Sequence, residues 1–225
     1  MQVLERKIDL GPDGSVSSLW ALPPGYVAGG NAVALAHGAG TSMHGPFLSA
    51  MHLGLAELGL LSVKFNFPYT EQGRKAPDRM PRLEAAWRAV LAALRGDPEL
   101  APGRLFLGGK SMGGRVASHL VAAGAACDGL LLLGYPLHPA GKPERLRDGH
   151  LADIDCPMLF IEGTRDPLCR LGLLRPVLAR LGGRARLHLI EGGDHSFRLP
   201  KRLGRSEREV WDEILEAASH WMAET

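Results

Sequence analysis

The segment 105–114, LFLGGKSMGG, contains two overlapping patterns that predict different chemistry. Its Gly-Lys-Ser tripeptide is the end of a phosphate-binding loop, whereas Gly109-x-Ser111-x-Gly113 is the spacing of a serine nucleophile on a sharp turn. A phosphate-binding loop also needs a glycine at the position of Arg104, and three apolar residues would fall inside its cradle. They fit better as the end of a buried strand, so the sequence favours the nucleophile.

The residues around Ser111 have the order that such a nucleophile requires. The stretch RLFLGGKSMGGRVASHL predicts a strand, a tight turn with little side chain, and a helix that continues from Arg115. The N-terminus of that helix and the backbone amide of Met112 would favour negative charge beside the serine. We therefore expect Met112 to provide one oxyanion donor.

An acid and a base follow Ser111 in the chain, each after a later predicted strand. Asp166 comes after CPMLFIEG and His195 after ARLHLIEGG. His195 would accept the serine proton, and Asp166 would orient the imidazole. Each residue alone could equally be an ordinary turn or loop residue. Glu162 and Asp194 are reserve acids.

The loop after the third strand, AHGAG, predicts the second oxyanion donor. Ala39 is the expected donor and Gly40 the alternate. The glycines could also serve only to permit a tight turn, which would leave His37 without a role. We expect His37, Gly40, Phe67 and Tyr69 to contact substrate, although a packing role for Phe67 and Tyr69 would look the same.

Short apolar runs alternate with segments of helical period and predict a doubly wound α/β domain. The first two predicted strands, VLERKIDL and VSSLWALP, form an antiparallel hairpin. The other six form a parallel sheet: NAVALAHG, LSVKFNFP, RLFLGG, DGLLLLGYP, CPMLFIEG and ARLHLIEGG. The helices are GPFLSAMHLGLAELG, MPRLEAAWRAVLAALRG, GGRVASHLVAAG, LLRPVLARLGG and SEREVWDEILEAASHWMA. Ser206 and Glu209 predict a capping box on the last helix. Right-handed crossovers place the ends of the parallel strands, and hence Ser111, Asp166 and His195, at one edge.

Composition restricts the class of protein. A chain of 225 residues with 45% hydrophobic and 22% charged residues predicts a single domain, residues 1–225. The net charge of +2 is spread along the chain and gives no reason to expect binding to nucleic acid or membrane. Three cysteines without a CxxC pair predict free thiols, with no disulfide framework and no zinc site. The N-terminus has no apolar targeting segment, so we expect a cytoplasmic protein.

Six segments together resemble a known family: AHGAG, FNFPY, GGKSMGGR, LGYPLHPAGKPERLRDGHL, EGTRDPL and GGDHSF. They are similar to the small α/β-hydrolases related to dienelactone hydrolase, in the branch that includes the testis-expressed proteins and a subunit of the NSL histone-acetyltransferase complex. The resemblance runs from about residue 31 to residue 197. It implies the α/β-hydrolase fold with a mostly parallel eight-stranded sheet. It also assigns the nucleophile, acid and base to Ser111, Asp166 and His195.

The resemblance leaves the substrate open, and at least one member of the branch serves as a scaffold. Only the irregular segment 137–155 occupies the place where many such hydrolases insert a cap domain, so we expect no large cap and a shallow pocket for a small acyl substrate. Lys142, Arg145 and Arg147 in this segment could hold a carboxylate or form a solvated charged loop. We expect a serine hydrolase without metal or cofactor, the alternative being a non-catalytic interaction protein, and the oligomeric state stays open.

Overall fold

The computed structural model describes residues 1–225 and contains one eight-stranded sheet. The strands are β1 (Gln2–Asp9), β2 (Ser15–Leu22), β3 (Asn31–Ala36), β4 (Leu61–Phe65), β5 (Arg104–Lys110), β6 (Gly129–Leu133), β7 (Met158–Gly163) and β8 (Ala185–Ile190). Their order across the sheet is β1-β2-β4-β3-β5-β6-β7-β8. The hairpin β1–β2 joins β4 antiparallel, and all later pairs are parallel.

Six helices cover the two faces of the sheet. They are α1 (Pro46–Glu57), α2 (Pro68–Glu71), α3 (Met80–Arg95), α4 (Met112–Ala122), α5 (Leu171–Leu181) and α6 (Glu207–Glu224). One apolar core lies between the sheet and α3, α4 and α5, and includes Trp87 and Val116. A second core lies between the sheet and α1 and α6, and includes Met51 and Ile214. The nearly continuous apolar strands are explained by burial on both faces.

The structure confirms the predicted α/β-hydrolase fold, with eight strands and no cap domain. The capping box of α6 is also present: the Ser206 hydroxyl accepts the Glu209 amide, and the Glu209 carboxylate accepts the Ser206 amide. The short helix α2 was not predicted, because four residues are too few to show a helical period. No helix in the structure combines the length and apolar character of a membrane span.

The turn between β5 and α4 packs backbone to backbone against β3. A Cβ atom at Gly109 or Gly113 would overlap the carbonyl oxygen of Ala36, and one at Gly108 would overlap the carbonyl oxygen of Leu131. Any side chain would therefore push α4 away from the sheet. The glycines of the GGKSMGG segment are explained by this contact.

We predict that Gly113→Ala lowers the free energy of unfolding by about 1–3 kcal/mol, because the added methyl group has no space beside Ala36. Gly172→Ala is the matched control: it lies near the start of α5, and no atom lies within 4 Å of the point that its Cβ would occupy. There the substitution should be neutral or stabilise by up to about 1 kcal/mol. Urea denaturation of both variants measures the difference, and equal midpoints would contradict the packing argument.

Candidate active site

Ser111 lies between the last residue of β5 and the first residue of α4, in a strained backbone conformation. Its φ is 52° and its ψ is −113°, and only one other non-glycine residue, Phe197, has a positive φ. The Ser111 amide donates to the Leu133 carbonyl at 2.9 Å, and its carbonyl accepts the Arg115 amide at 3.0 Å. The hydroxyl is therefore presented at the carboxyl edge of the sheet on a backbone held from both sides.

Ser111, His195 and Asp166 form a continuous chain of hydrogen bonds. The Ser111 hydroxyl lies 2.8 Å from Nε2 of His195, and Nδ1 of His195 lies 2.6 Å from Oδ2 of Asp166. The Asp166 side chain is fully buried, which fixes its position, and its second oxygen accepts the Leu168 amide at 2.7 Å. With the Nδ1 proton donated to Asp166, Nε2 is free to accept the serine proton. The structure thus brings together three residues that lie up to 84 positions apart in the sequence.

Asp194 shapes the loop that carries His195. One of its carboxylate oxygens accepts the amides of Ser196 and Arg198, at 2.8 and 2.9 Å. Phe197 in the same loop has a φ of 62° and a ring buried in the core beneath. The Asp194 carboxylate therefore binds backbone amides of its own loop, whereas the Asp166 carboxylate binds the His195 imidazole.

Glu162 is a fully buried carboxyl group in β7. One of its oxygens accepts the backbone amide of Tyr135 at 2.5 Å, which fixes the chain just after β6. Desolvation raises the pKa of Glu162 well above its ordinary value. Glu162, the second alternative to Asp166 as the acid, therefore binds the loop after β6 and makes no hydrogen bond to His195.

Lys110 connects the strand that carries Ser111 to the loop that carries His195. Its ammonium group donates to the His195 carbonyl and lies 5.0 Å from the centroid of the Phe197 ring. Burial lowers the pKa of Lys110 to about 8, against the opposing charges of Glu162, Asp166 and Asp194. Lys110, which in the sequence belongs to the Gly-Lys-Ser tripeptide typical of a phosphate-binding loop, therefore holds the loop of His195 in place.

The loop after β3 lies beside Ser111. A Cβ at Gly38 would sit 3.6 Å from the Cβ of Ser111. Ala39 and Gly40 are exposed, and their amides donate to no backbone acceptor. The amide of Met112 is at the first position of α4, where helices leave N–H groups unpaired. The assignment of Met112 and Ala39 as oxyanion donors stays a prediction on this arrangement.

Two of the expected substrate contacts, Phe67 and Tyr69, are buried in the structure. Both have no exposed surface and pack edge-on against the His37 ring, which supports a packing role, and their contact with substrate stays a prediction. They follow β4 as site residues would, but their rings are enclosed in the core on the α3 side of the sheet. Of the four expected contacts, Gly40 alone is exposed.

His37, the remaining expected contact, holds two loops together. It accepts the Phe67 amide at Nε2, 3.1 Å away, and its Nδ1 donates to the Gly38 carbonyl at 2.8 Å. Desolvation lowers the pKa of His37, which favours this neutral form. The residue borders the pocket between the loop after β3 and the start of α6 but is only 1% exposed. Its contacts therefore support the walls of the site, and its contact with substrate stays untested.

The basic residues of segment 137–155 have separate environments. Lys142 and Arg145 are exposed. Arg147 is half-buried, and its guanidinium donates to the Pro136 carbonyl at 3.3 Å. Their binding of a substrate carboxylate stays untested, and Arg147 has a direct role in holding its own loop.

A depression of about 230 Å³ opens between the loop after β3 and the start of α6, and Lys110, the residue before Ser111, lines it. A larger open groove of about 780 Å³ lies between α1 and α6 near His188, away from Ser111. The sequence did not identify the walls of the smaller pocket, Phe47 and Trp211, because aromatic residues on amphipathic helices usually indicate core packing. No group of three or more His, Cys, Asp or Glu side chains is arranged to hold a metal ion.

Three solved structures have similar folds along nearly the whole chain. An α/β serine hydrolase without a lid from Xanthomonas campestris is 23% identical, with a TM-score of 0.75 over 98% of this chain and 95% of that one. Dienelactone hydrolase from Anabaena variabilis is 19% identical, with a TM-score of 0.78 over 99% and 97%. Esterase 2 from Thermogutta terrifontis is 16% identical, with a TM-score of 0.71 over 98% and 94%. Because the three sequence identities lie between 16% and 23%, these similarities establish the fold alone.

The family is shown by the sequence model of the alpha/beta hydrolase domain, which matches residues 29–223. That range leaves out only the β1–β2 hairpin with the turn that follows it and the last two residues. It includes the turn at Ser111, the acid loop and the base loop. The chain therefore belongs to the alpha/beta hydrolase family.

Proposed function

We propose that this protein is a serine hydrolase that cleaves a small ester, thioester or lactone through an acyl-enzyme intermediate. The observation that carries the proposal is the hydrogen-bonded chain from the Ser111 hydroxyl through His195 to the buried Asp166 carboxylate. A neutral imidazole at 2.8 Å from a hydroxyl can take its proton as the hydroxyl attacks an acyl carbon. The strained turn at Ser111 supports the same role, because it exposes the hydroxyl at the edge of the sheet.

The reaction would proceed in two steps. Oγ of Ser111 attacks the acyl carbon while His195 takes its proton, and His195 then protonates the leaving oxygen or sulfur as the bond to the acyl carbon breaks. Water, deprotonated by His195, attacks the acyl group and releases the acid with Ser111 restored. Asp166 stabilises the imidazolium in both steps. The amides of Met112 and Ala39 would donate to the oxyanion.

The shallow site favours small or accessible acyl substrates over long-chain lipids. No cap domain covers Ser111. Similar folds named as a dienelactone hydrolase and an esterase support this substrate class. Membership of the branch with the testis-expressed proteins and the NSL complex subunit is part of this proposal, and it is supported by the six segments in order.

A non-catalytic interaction protein is the second candidate, since a member of the resembled branch serves as a scaffold. A scaffold has no chemical need for a strained serine, an imidazole within 2.8 Å of it and a buried acid behind the imidazole. The connected hydrogen bonds therefore favour the enzyme.

We predict that a fluorophosphonate labels Ser111 and that Ser111→Ala abolishes the labelling and lowers kcat for an activated acetyl ester by at least about 10³-fold. The loss follows from removal of the attacking oxygen. Ser219→Ala, in α6 outside the site, is the matched control and should label normally. An unlabelled wild-type protein that is folded, as judged by circular dichroism, would favour the scaffold.

We predict that Asp166→Asn lowers kcat by roughly 10³–10⁴-fold, because an amide cannot stabilise the imidazolium and favours the wrong tautomer. Glu162→Gln keeps the acceptor for the Tyr135 amide and makes no contact with His195, so its kcat should stay within about tenfold of wild type. Steady-state kinetics of both variants test the assignment. A larger loss in the folded Glu162→Gln protein would transfer the acid role to Glu162.

We predict a pH-dependent stability contribution from the half-buried Lys110. Its pKa is about 8 in the folded protein and about 10.5 in the unfolded chain, so between these values only the unfolded chain keeps the proton. The free energy of unfolding of wild type should therefore increase relative to Lys110→Met as the pH rises from about 8 to 10.5. Urea unfolding across this range measures the difference. Lys201→Met, at an exposed position, is the matched control variant. A pH-independent difference between wild type and Lys110→Met would contradict the lowered pKa of Lys110.

A further inference from the structure

Two of the three free cysteines contact each other at the amino edge of the sheet, where the parallel strands begin. Cys127 precedes β6 and Cys156 precedes β7, and their sulfur atoms are 3.4 Å apart. Ser111, Asp166 and His195 follow the carboxyl ends of β5, β7 and β8, so the full length of β7 separates Cys156 from Asp166. The cysteine pair therefore lies outside the candidate active site.

The pairing of β6 with β7 brings the two cysteines to the same level of the sheet. Leu130 and Met158 are partners in the parallel ladder, and the Leu130 amide donates to the Pro157 carbonyl at 2.9 Å. Neighbouring strands lie about 4.8 Å apart, which is within the backbone separation that a disulfide can bridge. A disulfide bond is about 2.0 Å long, so rotation of the two side chains has to bring the sulfur atoms closer by about 1.4 Å.

The chain next to each cysteine is held by hydrogen bonds to other parts of the fold. The Asp128 carboxylate accepts the Leu105 amide at 2.7 Å, and the Asp128 amide donates to the Leu105 carbonyl at 2.9 Å. Near the second cysteine, the Arg184 guanidinium donates to the Ile154 carbonyl at 2.5 Å. These bonds restrict both segments, so the two thiols stay together in the reduced protein.

The two thiols differ in how readily they lose a proton. A hydrogen bond from Cys127 to Cys156 lowers the pKa of Cys156 and raises the pKa of Cys127. Both residues are half-buried, whereas the third cysteine, Cys169, is buried and desolvation raises its pKa. Because the thiolate is the attacking species in thiol–disulfide exchange, Cys156 is the first of the three to react.

The surface around the pair is acidic. Asp128 and Asp155 are exposed, and their charges oppose a thiolate at Cys156. Arg184 lies 3.4 Å from Asp155 and offsets one of the two charges. An anionic reagent would approach a surface of like charge, whereas an uncharged reagent meets no such repulsion. The reagent that suits this site is therefore small and uncharged.

We propose that Cys127 and Cys156 form a reversible thiol–disulfide site, in which Cys156 attacks a small uncharged organic disulfide and Cys127 completes the exchange. The Cys156 thiolate forms a bond to one sulfur of the reagent, the S–S bond of the reagent breaks, and the other half leaves as a thiolate that takes up a proton. Cys127 then loses its proton and attacks the sulfur of Cys156, and the second half of the reagent leaves in the same way. The two cysteines are oxidised to one disulfide, and the reagent is reduced to two thiols.

The disulfide closes a loop of the chain, residues 127–156, that includes β6 and segment 137–155. Closing a loop of this length restricts the unfolded chain, so the Tm of the oxidised protein should exceed that of the reduced protein by about 5–10 °C. Calorimetry of both forms measures the shift. An equal or lower Tm in the oxidised form would overturn this stabilising role. The site does not depend on the hydrolase function proposed for Ser111.

The direct test treats folded wild-type protein with bis(2-hydroxyethyl) disulfide and follows the thiols by peptide mass spectrometry. The peptides of Cys127 and Cys156 should become joined, Cys169 should stay free, and dithiothreitol should restore both thiols. Dithiodiglycolate, an anionic disulfide of similar size, should react at least about threefold more slowly once each rate is divided by that of the same reagent with free cysteine. Absence of the cross-link, modification of Cys169 before the pair, or equal normalised rates would overturn the proposal.

Single variants separate the two roles. In Cys127→Ser the serine hydroxyl can still donate to Cys156, so the reagent should modify Cys156 and the mixed disulfide should persist, because no second thiol displaces it. In Cys156→Ser the remaining thiol of Cys127 should react at least about tenfold more slowly. A faster reaction at Cys127 than at Cys156, or no mixed disulfide on Cys156 in Cys127→Ser, would overturn the assigned roles. The cross-link in wild type needs no variant and tests the site if a variant does not fold.

Discussion

The backbone contact between the β5–α4 turn and β3 is the constraint on which the rest of the structure depends. Gly109 and Gly113 allow the turn to approach the Ala36 carbonyl more closely than any side chain would permit. That approach leaves Ser111 in a conformation that few non-glycine residues adopt, with its hydroxyl at the edge of the sheet. The base, the acid and the loop after β3 are all arranged around a serine whose position is fixed by this contact.

The loops around Ser111 are held by buried and half-buried polar side chains that bind backbone groups. His37 accepts the Phe67 amide after β4, Glu162 accepts the Tyr135 amide after β6, and Lys110 donates to the His195 carbonyl after β8. Burial shifts the pKa of each of the three in the direction of its neutral form. Buried polar groups are costly without partners, so these bonds join the loops to the sheet specifically. An uncapped site can in this way keep its geometry without a second domain.

The strands and helices could be predicted from local sequence patterns, and so could the three residues that meet at the edge of the sheet. Strand periodicity and the Gly-rich turn predicted the sheet, and the parallel topology alone placed Ser111, Asp166 and His195 at one edge. Local pattern could not show which way side chains near the edge point. Phe67 and Tyr69 follow a strand as substrate-contacting residues would, yet they are covered by packing that involves distant parts of the chain. The contacts of Lys110 and the wall formed by Trp211 likewise depend on α6 and the β8 loop returning to the start of α4, which no local window contains.

The hydrolase mechanism requires that Ser111 carries the acyl group during turnover. Rapid mixing with an activated acetyl ester, acid quenching, and peptide mass spectrometry would detect that intermediate directly. We expect one acetyl group per chain, on the peptide that contains Ser111, formed before steady state and lost again as substrate is consumed. Turnover of the ester with no adduct on Ser111, or with the acetyl group on another side chain, would contradict the mechanism.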